Sequence, residues 1–374
     1  MGPGIRITGR GCMTVTVSGL AADQTPPLEA LHRALDPHDR PAIGRPAPGA
    51  LSLSGTPFQL RRFAELLASD IAIPRQIASR LGPLLDRSLR SDFTLALRGR
   101  TLDLGGRTHI MGVLNVTPDS FSDGGMFADP GRAVEHARAM AAQGADLIDI
   151  GGESTRPGAE PLSEEEELRR ILPVIERVAA ETGIPVSVDT YKANVARRAL
   201  AAGASIVNDI SGLRFSPDMA RVAADHGAAV VIMHIKGTPR DMQANPVYED
   251  LLGEITGYLE AGIELALRAG VPRDRILVDP GIGFGKTKEH NLAIIAGLDE
   301  LRVLGCPVVL GTSRKRFIGA VLDAPDPKDR VEGTAATVAL GIAAGAHIVR
   351  VHDVAAMTKV ARMTDAIVKS TIEY

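Results

Sequence analysis

From residue 109 onward the sequence repeats one unit eight times: a short apolar run ends in polar residues, and an alanine-rich helical stretch follows. Parallel strands can be joined only by long crossovers, so alternation of this length predicts a parallel sheet. Eight units in about 265 residues fit a closed barrel. The predicted strands are 109–117, 146–152, 185–190, 206–211, 229–235, 276–282, 307–313 and 348–353, and the helices between them include 130–143, 164–180, 249–269 and 331–344.

The main alternative fold is a doubly wound open sheet. That fold usually carries a glycine fingerprint at its first strand–helix turn, and this sequence has none there. We therefore predict an α/β protein, a (β/α)₈ TIM barrel with a small N-terminal α+β extension.

The N-terminal residues 1–90 are predicted to form that extension, and the sequence indicates no role for it. Alternation and helical periodicity predict strands at 14–20 and 50–55, helices at 28–35, 57–68 and 74–88, and a proline-rich loop at 37–49. Its isolated histidines, His32 and His38, are interpreted as surface residues.

A second domain, residues 91–374, is predicted to begin with a β-hairpin. Residues 92–107 alternate between apolar and polar side chains around Gly99, which is typical of such a hairpin. Because it directly precedes the first barrel strand, we expect it to plug the bottom of the barrel.

Composition excludes several classes of function. The net charge is −3 and the pI is about 6.3, so nucleic acid and anionic membrane surfaces are not expected partners. No apolar stretch approaches the length of a membrane span, and the N-terminus lacks a signal-peptide pattern. Cys12 and Cys306 stand far apart without a Cys/His cluster, so we expect free thiols in the cytoplasm.

The predicted strands end in polar residues, and in a barrel the carboxyl ends of all strands converge on one face. Since the strands themselves are buried, so many polar groups on one rim favour a functional site over simple solvation. The residues collected there are Asn115, Thr155, Arg156, Asp189, Asn208, His234, Asp279, Lys315, Arg350 and His352. Considered by itself, His234 is more typical of a satisfied core imidazole than of a ligand.

These groups fall into two kinds. Asp189, Asn208 and Asp279 suit a flat heterocycle with an amino-amide edge, because a carboxylate accepts two parallel N–H bonds. Lys315, Arg350 and His352 form a cationic group on the last two strands, where such barrels commonly bind phosphate. A further prediction concerns metal: Asn115 and the aspartates of the first loop are suited to hold Mg²⁺ between protein and phosphate oxygens.

Two motifs are interpreted as structural. Gly283–Thr287 resembles the end of a P-loop, but the glycine required five residues before Gly285 is Pro280, so ATP binding is rejected. The acidic run Glu164–Glu167 after Ser163 is typical of a helix start, where acidic side chains suit the helix dipole.

Eight motifs, taken in order from about Asp92, resemble the dihydropteroate synthase family. They are Gly112–Gly125, Asp149–Gly158, Ser187–Thr190, Asn208–Gly212, Met233-His234 with Met242-Gln243, Asp279–Lys286, Ser313–Lys315 and Arg350–Asp353. The resemblance implies condensation of 6-hydroxymethyl-7,8-dihydropterin diphosphate with 4-aminobenzoate, giving 7,8-dihydropteroate and diphosphate in folate biosynthesis.

The resemblance also implies roles for individual residues. The pterin ring would be held by Asp189, Asn208 and Asp279, with Lys315 against it. The diphosphate end would contact Thr155, Arg350 and His352, Asn115 would bind Mg²⁺, and Ser313 belongs to a substrate-binding motif. Two closing loops and the aminobenzoate pocket would comprise Asp119, Phe121, Asp123, Ser154, Thr155, Arg156, Pro157, Phe284 and Lys315.

We expect a dissociative mechanism, in which diphosphate leaves first and buried acids stabilise the pterin methylene cation. The family also implies a homodimer. Two other functions remain open at this point: a corrinoid-linked methyltetrahydrofolate methyltransferase, which shares the pterin-binding barrel, and a non-catalytic pterin-binding protein.

Overall fold

The chain is divided into two compact units in the computed structural model, which describes residues 4–8, 13–20, 24–69, 75–117, 130–156 and 158–370. The first unit comprises Met1–Ser91 together with Asp299–Gly305, and the second comprises Asp92–Leu298 and Cys306–Tyr374. The short segment 299–305, which the sequence analysis had left within the barrel, therefore groups with the N-terminal residues.

The first unit is a four-stranded antiparallel sheet with three helices. Its strands are β1 (Gly4–Thr8), β2 (Met13–Ser18), β3 (Ala42–Gly44) and β4 (Leu51–Gly55), in the order β1-β2-β4-β3, and its helices are α1 (Thr25–Ala34), α2 (Pro57–Ser69) and α3 (Arg75–Leu89). Every second residue of β2 is buried, which places Met13, Val15 and Val17 in one core with Phe63 and Leu81. Strand β3 lies in the stretch predicted as a loop, because a three-residue edge strand leaves little periodic signal.

Two details of this unit differ from the sequence prediction. His32 is not a surface residue: it is buried on the same face of α1 as Leu28, and its Nε2 lies 2.6 Å from the carbonyl oxygen of Pro41. The segment 299–305 joins the unit through an ion pair between Arg6 and Glu300 and through Val303, which packs against the core.

The second unit contains an eight-stranded parallel sheet that closes on itself. Its strands are β7 (His109–Asn115), β8 (Leu147–Gly151), β9 (Val186–Asp189), β10 (Ile206–Asp209), β11 (Ala229–Met233), β12 (Ile276–Asp279), β13 (Val309–Leu310) and β14 (Ile348–Val351). Neighbours pair in the order β12-β11-β10-β9-β8-β7-β14-β13, and a parallel bridge between Val278 and Val308 closes the ring. The predicted (β/α)₈ barrel is confirmed.

Helices surround this barrel. They are α4 (Pro130–Ala142), α5 (Glu164–Thr182), α6 (Ala193–Ala201), α7 (Met219–Asp225), α8 (Leu251–Arg268), α9 (Lys288–Ala296), α10 (Arg316–Leu322), α11 (Val331–Ala344) and α12 (Val354–Lys369). The barrel strands end before the predicted strands do. The last residues of each predicted strand lie outside the hydrogen-bonded ladder, in the loop that follows. Within the described residues no helix is both long and apolar enough to cross a membrane.

A β-hairpin, β5 (Thr94–Leu97) and β6 (Arg100–Asp103), packs against the amino-terminal part of the barrel strands. Its buried side chains share one core with residues near the strand starts, and Phe93 makes an edge-on contact with His347 at 4.9 Å. The cluster comprises Phe93, Leu95, Leu97, Leu104, Met111, Leu147, Ile206, Ala229, Val231, Leu277, Val309 and Ile348. The polar residues at the opposite strand ends are left out of this core.

Truncation of the hairpin core tests this packing. Leu95 is fully buried, so Leu95→Ala should lower the free energy of unfolding of the barrel by about 2–5 kcal/mol, through lost apolar burial and the cavity that remains. The matched control is Leu102→Ala in the same hairpin, since Leu102 is only partly buried and should cost less. The measurement is urea denaturation followed through the barrel transition. Equal effects of the two substitutions would contradict the packing described.

Candidate active site

Arg350, on β14, joins the polar ends of several strands. Its Nε donates to Oδ2 of Asp149 at 2.6 Å, and its Nη2 donates to Oδ2 of Asp189 at 2.7 Å. Asn208 Nδ2 donates to the same oxygen of Asp149 at 3.0 Å. Residues from β8, β9, β10 and β14 therefore form one hydrogen-bonded network, as convergence at the carboxyl ends of the strands requires.

The sequence analysis assigned no role to Asp149. It is completely buried, and it anchors both Arg350 and Asn208. The signal that pointed to it is a carboxylate between two isoleucines in a predicted buried strand, where an unpaired charge is not tolerated. Asp149 thus holds in place two residues that had been predicted to bind ligand.

Asp189 keeps one carboxylate oxygen available. Its Oδ1 is buried and has no hydrogen-bond partner among the described residues, and the same is true of Oδ1 of Asp149. Burial raises the pKa of Asp189 to about 7; the charge of Arg350 opposes this rise, and that of Asp149 adds to it. A buried acceptor without a donor indicates a place where ligand N–H groups bind.

Asp279 lies near the same space. Its Oδ1 accepts from the backbone N–H of Gly281 at 2.6 Å, and burial raises its pKa, against the lowering effect of Lys315. Gly311 lies beside both Asp279 and Arg350, because a Cβ there would lie 3.7 Å from Cβ of Arg350 and 4.0 Å from Oδ2 of Asp279. Two carboxylates and a guanidinium therefore lie close together at the carboxyl ends of the strands.

Lys315 lies beside Asp279 and the ring of Phe284. Its Nζ donates to the carbonyl oxygen of Ile282 and is 4.6 Å from the centre of the Phe284 ring. Burial lowers its pKa to about 8, although Asp279 raises it. The ammonium is therefore mostly protonated at neutral pH.

The turn after β12 is held by four consecutive carbonyl groups, each of which accepts from a different side chain. In order from Ile282 to Gly285, the donors are Lys315, Gln243, Lys286 and Tyr248. The turn also requires glycine: a Cβ on Gly281 (φ 68°) would lie 1.8 Å from the carbonyl oxygen of His234. This clamp fixes Phe284 in position.

The P-loop-like sequence lies in this turn. Lys286 is buried, and its Nζ contacts Nδ1 of His234 at 2.9 Å, so it is directed into the protein. Burial and the neighbouring Lys286 lower the pKa of His234 to about 2. His234 is thus a neutral imidazole in the core, as the sequence analysis favoured.

His352 and Ser313 connect the loops after the last two strands. The Oγ of Ser313 lies 3.0 Å from Nδ1 of His352 and accepts a hydrogen bond from the backbone N–H of His352 at 3.1 Å. A bidentate pair between Arg314 and Asp353 joins the same loops. Both residues are thus fixed next to Arg350.

One electrostatic expectation is wrong. His352 had been counted among the cationic groups, but burial, followed by the charge of Arg350, lowers its pKa to about 3. The imidazole is neutral at physiological pH, and it contributes hydrogen bonds rather than charge. The positive charge of the predicted anion-binding group comes from Arg350 and Lys315.

The remaining predicted residues are only partly covered by the structure. The amide oxygen of Asn115 and Oδ2 of Asp189 lie 3.8 Å and 3.7 Å from the point where a Cβ on Gly151 would be, so the two groups are neighbours. Thr155 is partly buried and Arg156 is exposed. Asp119, Phe121, Asp123 and Pro157 lie outside the described residues.

The described residues contain no group of three His, Cys, Asp or Glu side chains that could bind a metal by itself. Mg²⁺ commonly uses one or two protein oxygens and takes its other ligands from phosphate and water. The amide oxygen of Asn115, which neighbours the carboxylate of Asp189, is compatible with that mode. Magnesium binding stays a prediction.

Comparison with known proteins identifies the family. The profile described as "Pterin binding enzyme" matches residues 111–352. Dihydropteroate synthase of Synechocystis is 52% identical over 270 residues, which cover 72% of this chain and 93% of that protein. The Bacillus subtilis enzyme is 53% identical over 260 residues, covering 70% and 88%. The chain belongs to the dihydropteroate synthase family.

Solved structures of other dihydropteroate synthases match as well. The Xanthomonas albilineans enzyme, solved with 4-aminobenzoic acid, gives a TM-score of 0.70 at 45% identity, covering 75% of this chain and all of that one. The Clostridium difficile enzyme, solved in the presence of pteroic acid, gives 0.67 at 50% identity, covering 71% and 98%. This dihydropteroate synthase family member is thus a transferase of folate biosynthesis, and the two alternative functions are not favoured.

The pKa of Asp189 generates a prediction about pH. Its carboxyl group accepts ring N–H bonds best when ionised, so affinity for an unphosphorylated pterin should rise by up to about tenfold in total as the pH increases from 6 to 8. Calorimetric titration across this range measures the effect. The control Asp189→Asn should bind more weakly with a flatter pH profile; a flat profile in the unsubstituted protein would contradict the assignment.

Proposed function

We propose that the protein condenses 6-hydroxymethyl-7,8-dihydropterin diphosphate with 4-aminobenzoate, releasing diphosphate and forming 7,8-dihydropteroate. The observation that carries the proposal is the cluster of Asp189, Asp279 and Arg350, in which a carboxylate oxygen without a partner among the described residues lies close to a fixed guanidinium. We assign the opening beside this cluster to the substrates. Family membership and relatives solved with 4-aminobenzoic acid or pteroic acid support it.

The acidic half of the opening is assigned to the pterin ring. The free oxygen of Asp189 and the carboxylate of Asp279 accept N–H bonds from the amino-amide edge, and Asn208 contributes a neutral polar group. Lys315 lies against the ring, since its ammonium is held by the Ile282 carbonyl beside Asp279. These acids bind the ring best when ionised.

The cationic half is assigned to the diphosphate. Arg350 supplies charge, while neutral His352, Ser313 and Thr155 supply hydrogen bonds. When bound, Mg²⁺ would be held by Asn115 and would neutralise charge on the leaving diphosphate. Because Arg350 is already fixed by Asp149, the site needs little rearrangement to receive the anion.

The proposed reaction is dissociative. The C–O bond to diphosphate breaks and leaves its electron pair on the anion, which Arg350 stabilises. Asp189 and Asp279 stabilise the pterin methylene cation, the neutral arylamine adds to it, and the new C–N bond forms as the amine loses a proton. No strong general base is required.

Exclusion of water is essential, because water competes with the amine for the cation. We assign this role to Asp119, Phe121 and Asp123 of the first loop and to Arg156 and Pro157 of the second. With the fixed ring of Phe284 and with Lys315, they would enclose the aminobenzoate.

We also propose that the protein is a cytoplasmic homodimer. Support for self-association comes from exposed apolar side chains on neighbouring helices, Leu340 on α11 and Met363 and Ile367 on α12.

The direct test is incubation of the protein with the pterin diphosphate, aminobenzoate and Mg²⁺. Dihydropteroate and diphosphate should form in equal amounts. Binding of pterin without turnover would indicate a non-catalytic protein, and methyl transfer from methyltetrahydrofolate without diphosphate release would indicate the corrinoid-linked alternative.

Removal of Asp279 tests the ring half. Asp279→Ala leaves ring donors unpaired, so binding of an unphosphorylated pterin should weaken by about 1–3 kcal/mol. The matched control is Asp274→Ala, which removes an exposed carboxylate just before the opposite end of the same strand. Isothermal calorimetry measures both. Unchanged pterin affinity in Asp279→Ala would exclude this residue from the pocket.

Removal of Arg350 tests the anion half. Arg350→Ala should weaken binding of the pterin diphosphate by at least about tenfold more than binding of the unphosphorylated pterin, because charged hydrogen bonds to the anion are lost. Arg362→Ala on α12 is the control for the loss of an exposed arginine. Equal losses for the two ligands would contradict the anion role.

A further inference from the structure

A largely buried group of charged residues beside the second strand–helix loop has no part in the site described above. The loop comprises residues 154–161, between Glu153, just after β8, and Leu162, just before α5. It carries Thr155 and Arg156. Lys192, which directly precedes α6, lies at its base.

The ammonium of Lys192 binds both ends of this loop. Its Nζ donates to the carboxylate of Glu153 at one end and to the carbonyl oxygen of Leu162 at the other, at 2.7 Å. The remaining donor goes to Oε2 of Glu167 at 2.6 Å. An ammonium has three N–H groups, and each has an acceptor here.

Neighbouring residues strengthen the same attachment. Tyr191 OH donates to the other carboxylate oxygen of Glu153 at 2.5 Å, so both oxygens are held. Arg170 Nη1 donates to the carbonyl oxygen of Gly152 at 3.1 Å. The loop therefore begins and ends at fixed points, while Ser154, Arg156 and Gly158 between them are exposed.

The burial of this group distinguishes it from a surface ion pair. The exposed fractions are 13% for Lys192, 8% for Glu153 and 1% for Glu167. Glu167 belongs to the predicted acidic helix start after Ser163, which the structure confirms, but its side chain is buried. Buried ion pairs often add little to stability compared with apolar replacements, so geometry is the better guide to their role.

We propose that Lys192 is a positioning residue for the second loop, joining its two ends so that Thr155 and Arg156 reach the substrates. This inference rests on the proposed function. Its consequence is control of water: if the ends separate, the loop covers the pterin methylene cation less well. Water then adds to the cation and loses a proton, so diphosphate and 6-hydroxymethyl-7,8-dihydropterin form without dihydropteroate.

The test compares four variants with the unsubstituted protein. Lys192→Met removes the charge and all three donors, while Lys192→Arg retains charge and donors. Lys192→Met leaves the buried carboxylate of Glu167 without its ion-pair partner, which destabilises the fold. The double variant Lys192→Met/Glu167→Gln removes this unpaired charge and so protects the fold. Arg197→Met, on the exposed side of α6, is the matched control for loss of a cation near the same loop.

Two measurements are required for each variant. Both are made at a temperature at which a thermal melting curve shows that the variant is folded. Hydrogen exchange of the backbone amides of residues 154–162 reports directly on the attachment of the loop. The ratio of diphosphate to dihydropteroate, together with separate KM and kcat values for aminobenzoate, reports on water exclusion and amine capture.

We expect faster exchange in the loop and a product ratio above one in Lys192→Met and in the double variant. Their kcat/KM for aminobenzoate should fall by about tenfold to a hundredfold, as for other misplaced catalytic loops. Lys192→Arg should recover part of the loss, and Arg197→Met should match the unsubstituted protein.

A folded double variant with unchanged loop exchange and an unchanged product ratio would overturn the proposal and leave Lys192 a purely structural residue. Failure of the proposed function gives a different result, because the unsubstituted protein would then form no dihydropteroate. Hydrogen exchange would still report on the attachment of the loop in that case.

Discussion

The shared guanidinium of Arg350 is the interaction on which the rest of the site depends. It lies between the carboxylates of Asp149 and Asp189, and so connects the part suited to a flat ring with the part suited to an anion. A lone arginine or a lone aspartate buried here would be costly, whereas together each stabilises the charge of the other. One further carboxylate oxygen of Asp189 is left for a ligand.

The barrel explains why these groups meet. The hairpin and the amino-terminal parts of the strands form an apolar core. The polar residues lie where the strands end and the loops begin, and they are held there by further contacts: the four-carbonyl clamp at Phe284, the Ser313–His352 pair and the Lys192 attachment of the second loop. The apolar base of the barrel thus carries a site whose polar groups are held by hydrogen bonds between loops.

The sequence was sufficient to predict the barrel, because strand–helix alternation and polar strand ends are local patterns. It was also sufficient to bring Asp189, Asn208 and Arg350 together. Properties set by distant neighbours were not predictable: Asp149 gained its role from Arg350, 201 residues away. The pKa of His352 is lowered because the side chain is buried beside Arg350 and cations of other loops, Glu167 is buried where Lys192 reaches it, and His32 is buried beneath Pro41.

Ring and diphosphate are proposed to bind in one opening, on either side of Arg350. A crystal structure of the protein with Mg²⁺ and an unreactive analogue of the pterin diphosphate measures this directly. We expect ring N–H groups to contact Oδ1 of Asp189 and the carboxylate of Asp279, and the diphosphate to contact Arg350 and His352. An analogue bound elsewhere, or with its diphosphate directed away from Arg350, would contradict it.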